Sequence, residues 1–273
     1  TTIPSCDLVV YAAHKSGTMF IHRYFEKFAA VSNFTHFSDN YKLGAEERWN
    51  STISNDITHK VFAPVRGDPG KLPIWGHLSV NNNSRVVVHW RDPRDLIVSA
   101  YYSFGFSHMV PPVNTSGYKD LMEKRQHIRN VSIDEYALEQ CESIDAQITA
   151  LKDYLTHLPV PRDRIYVSFY DKMVHNFTEW SNDLCRFVQL PTNLCLQIHD
   201  EAMSLVKETR AKPLDVIHMD FHNKSTSVAA HVRDGTSGQY LHLHQDTITS
   251  LNEALEPTMT ELTRLLAMYS VVK

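Results

Sequence analysis

Residues 12–20 read AAHKSGTMF. The apolar run Leu8–Ala13 leads into this stretch, and Phe20, Ile21, Tyr24, Phe25 and Phe28 follow it at helical spacing. The pattern is a buried strand, a short polar loop and an amphipathic helix. A loop in that place offers unpaired backbone N–H groups and the positive end of a helix dipole to an anion. Gly17 lets the backbone come close, Lys15 supplies a point charge, and Ser16 and Thr18 supply hydroxyl donors. In the phosphate loop of nucleoside triphosphatases glycines precede the lysine. Here the lysine comes first, and taken alone the stretch fits an ordinary strand–helix turn equally well.

Further along, Val86–Trp90 and Ile165–Tyr170 read as buried strands, each followed by a helical pattern. DPRDLIVSAYYSF (92–104) opens with acids and a proline, as helices do. Ser132 and Glu135 form a capping box for a helix running toward Leu158 and stopped by PVP. Gly105–Asn130, with Pro111, Pro112 and Gly117, reads as a long irregular loop of the lid or substrate-wall kind. Strands alternating with helices predict a single α/β domain over residues 1–273, a three-layer sandwich with a central parallel β-sheet. Ligands of such sheets bind at the carboxyl ends of the strands, where HKSGT falls.

The bulk numbers set bounds. With 273 residues and a net charge of −4, the chain has core enough for one large domain and no general footprint for nucleic acid. An anionic ligand must be held by a local basic cluster. No apolar run has the length of a membrane span. Cys6, Cys141, Cys185 and Cys195 lack C-x-x-C spacing and read as free, buried thiols. His242 and His244 would share a face if extended, but no third ligand accompanies them, so no metal site is expected. N-x-[ST] sequons begin at Asn33, Asn50, Asn82, Asn114, Asn130, Asn176 and Asn223, against about two expected from composition.

HKSGTMF (14–20) resembles the P-K-S-G-T-T-W loop of sulfotransferases that use 3′-phosphoadenosine 5′-phosphosulfate (PAPS). VVVHWRDPRDLIVSAYYSF (86–104) is similar to that family's second signature, with Ser99 eight residues after Arg91. YVSFYDKM (166–173), KETRAKP (207–213) and HVRDGTSGQY (231–240) resemble three further blocks, in the family's order. The resemblance implies transfer of a sulfuryl group from PAPS to a hydroxyl or amine, with adenosine 3′,5′-bisphosphate as product and no metal.

It also implies roles for particular residues. Lys15 would contact the 5′-phosphosulfate, with backbone N–H groups of Ser16, Gly17, Thr18 and Met19 around it. Phe20 stands at the family's tryptophan position and could stack on adenine, or equally be a core phenylalanine. Arg91 and Ser99 would hold the 3′-phosphate, which suits the guanidinium fork. Arg233, Asp234 and Gly235 would close over the same phosphate, and Tyr170 and Ser204 would lie near adenine and ribose. Arg94 and Asp95 read as surface ion pairs. In PIWGHLS (73–79), His77 matches the catalytic base, and an imidazole of reference pKa about 6.5 suits that task.

Three positions depart from the pattern. Met19 replaces a threonine, Trp75 stands where the family has a lysine, and Asp234 replaces the lysine of R-K-G. The dimerisation stretch expected near Leu241–Ser250 is missing, so a family-type dimer is not predicted. Trp75, Tyr101, Phe104 and Phe106 would wall a pocket for a small-molecule acceptor, a sugar or peptide being alternatives. The rivals are a nucleotide-dependent small-molecule kinase and a nucleotide-binding protein without turnover. The downstream blocks look like the soluble, cytoplasmic branch of the family, whereas the sequons suit a Golgi-lumenal or secreted protein.

Overall fold

The computed structural model describes residues 7–37, 60–66, 84–108, 110–158, 160–210 and 236–269. The chain forms two compact units. The first comprises Thr1–Arg91, Asp145–Val206 and Pro257–Lys273, and the second Asp92–Ile144 and Lys207–Glu256.

The first unit holds a five-stranded, wholly parallel sheet in the order β2-β3-β1-β4-β5. Its strands are β1 (Leu8–Ala12), β2 (Thr35–Phe37), β3 (Lys60–Arg66), β4 (Arg85–Trp90) and β5 (Ile165–Phe169). The three expected strands are present and two more join them. Asp7 sets the register at the start of β1: its carboxylate accepts from the Lys60 amide at 3.1 Å and its carbonyl from the Arg85 amide at 2.8 Å. The β1–β3 register shifts between Val9 and Tyr11, opposite Pro64. A proline has no N–H for the ladder, so the strand bulges there.

Side-chain alternation splits the sheet into two faces. Leu8, Val10, Val87 and Tyr166 join one core with α1 (Thr18–Ser32), α6 (Tyr170–His175), α7 (Phe177–Val188) and α8 (Thr192–Arg210). On the other face Tyr11 stacks on Tyr154 of α5 (Cys141–His157), with ring centroids 6.4 Å apart. The helices flanking a parallel sheet agree with the fold class expected from the sequence.

The second unit begins with α2 (Pro93–Tyr102), capped by the Asp92 side chain and led by Pro93. A π-helical turn over Ser103–Ser107 follows, then α3 (Ser116–Asn130). Gly105–Asn130 is therefore not an irregular loop. Thr115 caps α3, and only Leu121, Arg125 and Ile128 of that helix are buried. So narrow a stripe leaves little apolar periodicity to read. Arg125 binds the carbonyls of Phe104 and His108 (2.9 and 2.8 Å), and Arg129 binds that of Gly105 (3.0 Å). The capping box at Ser132 is present, but its helix, α4 (Ile133–Glu139), stops at Gln140 before α5 resumes. The last helix is α9 (Gln245–Tyr269).

A Cβ on Gly105 would lie 2.7 Å from Cγ2 of the buried Ile128. Gly105→Ala is expected to lower stability by about 1–3 kcal/mol through overpacking, read as a lower urea midpoint. An unchanged midpoint would show that the π turn and α3 do not pack this closely.

Candidate active site

The loop after β1 is built from two left-handed residues around one buried serine. Lys15 has φ 71° and Gly17 has φ 80°, and Gly17 is the N-cap of α1. A non-glycine residue in that region is uncommon and costs on the order of 1 kcal/mol, so the surroundings must enforce it. Glycine is required at position 17 for space as well. A Cβ there would sit 3.1 Å from Met173 Cε and 3.2 Å from Tyr170 Cε2. No side chain caps α1, so its first-turn amides face the loop without the usual Ser, Thr, Asp or Asn acceptor.

Ser16 does not act as the sequence suggests. It is fully buried, and both its amide and its hydroxyl donate to the Ala13 carbonyl, at 3.0 and 2.6 Å. Its hydroxyl closes the turn instead of reaching for a ligand. Thr18 is buried, while Met19 is exposed. Phe20 is half-buried and packs edge-on against Phe177, with centroids 5.7 Å apart, and also contacts Tyr24 and Trp180. Its core role is real, and the ring still has an accessible part.

Side chains from β4 and β5 fix the loop backbone. His89, wholly buried, bonds the Ser16 carbonyl through Nε2 at 2.9 Å and the Ser168 hydroxyl through Nδ1 at 2.9 Å. Trp180 Nε1 donates to the same hydroxyl at 2.6 Å. The protons follow from what each group can do. A carbonyl only accepts, so Nε2 carries the hydrogen; an indole only donates, so Ser168 accepts from it and donates to Nδ1. Burial lowers the His89 pKa to about 3, against the raising effect of the Ser16 carbonyl, and Arg91 lowers it further. The imidazole is neutral. Arg91, 3% exposed, donates to the Lys15 carbonyl at 2.8 Å and lies 4.1 Å over the Tyr170 ring. Lys15, Ser16, Gly17, Thr18, Arg91 and Tyr170 are thus brought together, with His89 and Ser168 as bracing residues that sequence reasoning did not single out.

The other predicted residues are placed differently. Ser204 is exposed on α8, and its hydroxyl donates to the Glu201 carbonyl at 2.6 Å. Ser99 is half-buried in the second turn of α2, in the second unit. His77, Trp75, Arg233, Asp234 and Gly235 lie outside the described residues. Asp95 is not a surface pair: it is fully buried and accepts from the amides of Gly238 (2.8 Å) and Tyr240 (3.1 Å). It anchors the segment that follows Arg233–Gly235, and Gly238 takes a positive φ of 76° there. Arg94 does pair with a neighbour, Asp92, and lies 3.8 Å over the Tyr240 ring. Tyr101 and Phe106 pack on one another at 5.9 Å, and Tyr101 on Tyr136 at 5.5 Å, within the second unit. The segment carrying His242 is a helical turn over Gln239–His242, not extended.

Comparison with known proteins adds family and fold. A family model described as the sulfotransferase domain matches residues 5–263. No curated protein matches the chain in sequence. Among solved structures, mouse sulfotransferase SULT7A1 complexed with PAP is similar at 14% identity and a TM-score of 0.57, covering 98% of this chain and 89% of that one. A sulfotransferase from Alicyclobacillus acidocaldarius matches at 13% identity and TM-score 0.44, covering 98% and 97%. A retinol dehydratase in complex with androsterone and inactive cofactor PAP matches at 12% and 0.47, covering 94% and 82%.

Gly17→Ala, strained at its φ and crowded by Tyr170, is expected to lose about 1–3 kcal/mol of stability and to weaken anion binding at the loop. Urea unfolding and anion titration check it; an unaltered protein would mean the loop is not so tightly built.

His89 has a depressed folded pKa of about 3, so below about pH 6.5 the unfolded chain binds the extra proton. Stability then falls with falling pH through that window, by at most about 1.4 kcal/mol per pH unit for this one group. His89→Gln, which retains a donor without titrating, should flatten the slope in urea unfolding from pH 6.5 to 4. An identical slope would show that His89 does not carry it.

Proposed function

Because this chain belongs to the sulfotransferase domain family, and is a PAPS-dependent sulfotransferase on that ground, we propose that its β1–α1 loop holds the 5′-phosphosulfate and that a small hydroxyl or amine compound accepts the sulfuryl group. The observation that supports this reading most is the uncapped start of α1 behind two left-handed residues, with Lys15 in the loop and Arg91 bound to its backbone.

The residues of the loop fit a bound phosphate group. The amides at the head of α1 have no side-chain acceptor, and Gly17 takes the left-handed φ from which the helix starts. PAPS supplies an activated sulfuryl group on a good leaving phosphate. Lys15 and the loop amides offset charge where the leaving group develops it. Lys15 sits on a backbone fixed from beneath, so little reorganisation is needed as that charge forms. His77 takes the proton of the acceptor as it attacks, a role it holds by the sequence match alone. Ser99, Arg233 and Gly235 are likewise assigned to the 3′-phosphate by sequence. Trp75 and Asp234 lie at family positions with altered chemistry, and they favour as second reading a nucleotide-binding protein without turnover.

Thermal stabilisation by adenosine 3′,5′-bisphosphate, beside ADP and ATP, tests the proposal. At one hundred times its dissociation constant the bisphosphate should add about 2.7 kcal/mol. A shift with ADP and ATP alone would replace the proposal by the kinase reading. His77→Ala should lose about 10²- to 10⁴-fold in kcat while its bisphosphate shift is retained, and Lys15→Ala should lose both. An active wild type matched by His77→Ala would remove His77 as the base. Bisphosphate binding without turnover on any hydroxyl or amine tried would leave the second reading.

A further inference from the structure

Helices α7 and α8 are joined by the short turn Gln189, Leu190 and Pro191. Cys185 lies four residues before this turn begins and Cys195 four residues after it ends. Both are tied to the same turn residue. The Leu190 amide donates to the Cys185 carbonyl at 3.0 Å, and the Cys195 thiol donates to the Leu190 carbonyl at 3.7 Å. Both thiols are free, and burial and the nearby Cys195 both raise the pKa of the Cys185 thiol. Cys185 is buried against the aromatic core below α1, beside Tyr24, whereas Cys195 is half-buried.

We propose that Cys185 and Cys195 form a disulfide in the native protein, clamping α7 to α8 beneath the helix that carries the candidate phosphate loop. Neither thiol is used by the proposed sulfuryl transfer, so the bond is independent of that reading. The chemistry balances with a disulfide oxidant such as oxidised glutathione or a thiol–disulfide oxidoreductase. The Cys195 thiolate attacks the oxidant, expelling one thiol and forming a mixed disulfide. The Cys185 thiolate then displaces the second thiol, two protons leave, and two electrons pass to the oxidant. Burial pushes the Cys185 thiol up, as does the neighbouring Cys195, so the second displacement is the slow one and speeds up with rising pH.

The structure holds both as free thiols, as expected from the sequence, and the proposed bond would suit an oxidising compartment. The sequons point the same way. Among the described residues Asn33, Asn114, Asn130 and Asn176 are all exposed, each in a turn or at a helix end. Such places can receive a glycan without unfolding the chain.

The experiment is to hold the purified full chain in glutathione buffer at the poise of the secretory pathway, unfold it with an alkylating agent present, and map its peptides by mass spectrometry. The expected result is a Cys185–Cys195 cross-linked peptide, two hydrogens lighter than its reduced form, with Cys141 alkylated. Reduction should lower Tm by about 4–8 °C, as loss of a short-loop disulfide implies. Cys195→Ser, at the less buried partner, should remove this dependence on reductant, and Cys185→Ser serves as the second variant. Bisphosphate stabilisation, measured on the same samples, reports the sulfotransferase reading separately. Alkylation of both cysteines in the oxidised buffer, pairing of either with Cys6 or Cys141, or a Tm indifferent to reductant would overturn the proposal.

Discussion

The candidate site depends on one buried hydrogen bond, from His89 Nε2 to the Ser16 carbonyl at 2.9 Å. A loop of two left-handed residues around a serine is not a low-energy conformation by itself. It persists because its carbonyls are claimed from below: Ser16 by the imidazole, Lys15 by the Arg91 guanidinium. With these carbonyls held at the sheet end, α1 starts without a side-chain cap, and the Phe20 amide turns back to the Gly17 carbonyl at 2.9 Å. The period of two in β4 and β5 makes this possible. Val87 and His89 share a face, as do Tyr166 and Ser168, so the apolar pair packs in the core while the polar pair meets at the carboxyl end. Trp180 completes the chain of donors, its indole N–H bonded to the Ser168 hydroxyl. A buried polar network of this kind stabilises one geometry because every alternative leaves a donor or acceptor unpaired.

What could be read in the sequence was what short-range chemistry decides. The strand–loop–helix of residues 8–32, the Asp92–Pro93 helix start and the Ser132–Glu135 capping box each rest on neighbours within a few positions. β2, at three residues, is too short to show alternation, and Pro64 disguises β3, which tolerates the proline only through a bulge. The helix over Ser116–Asn130 hid behind its polarity: Arg125 fills a core-facing position, its charge answered by two carbonyls far away in sequence.

Side-chain roles were less legible than elements, and Asp95 shows why. Next to Arg94 it reads as half of an ion pair. Its partners are amides 143 and 145 residues further on, which no local pattern reveals. Its place in the first turn of α2 suits a carboxylate, since the helix dipole favours negative charge there. Ser16 misled in the opposite direction: its residue type is right for an anion site, but its hydroxyl serves the turn. His89 was hidden among sixteen histidines in the middle of an apolar run, and only the pairing of β4 with β5 brings Ser168 beside it.

The environment of His89 also separates two kinds of pH dependence. With a pKa near 3 it stays neutral wherever the protein is folded and active, so the Ser16 carbonyl keeps its donor and the loop keeps its shape. A base with an ordinary imidazole pKa titrates between about pH 5 and 8. A change in turnover across that range would then report such a base or the acceptor, not a loosening of the candidate phosphate loop. Were His89 to take up a proton there instead, Nδ1 would become a donor facing Ser168, whose own hydroxyl would have to turn away from it. Anion affinity and turnover would then change together. A neutral imidazole thus does in the protein interior what a lysine or arginine could not: it holds a carbonyl without bringing a buried charge beside Arg91.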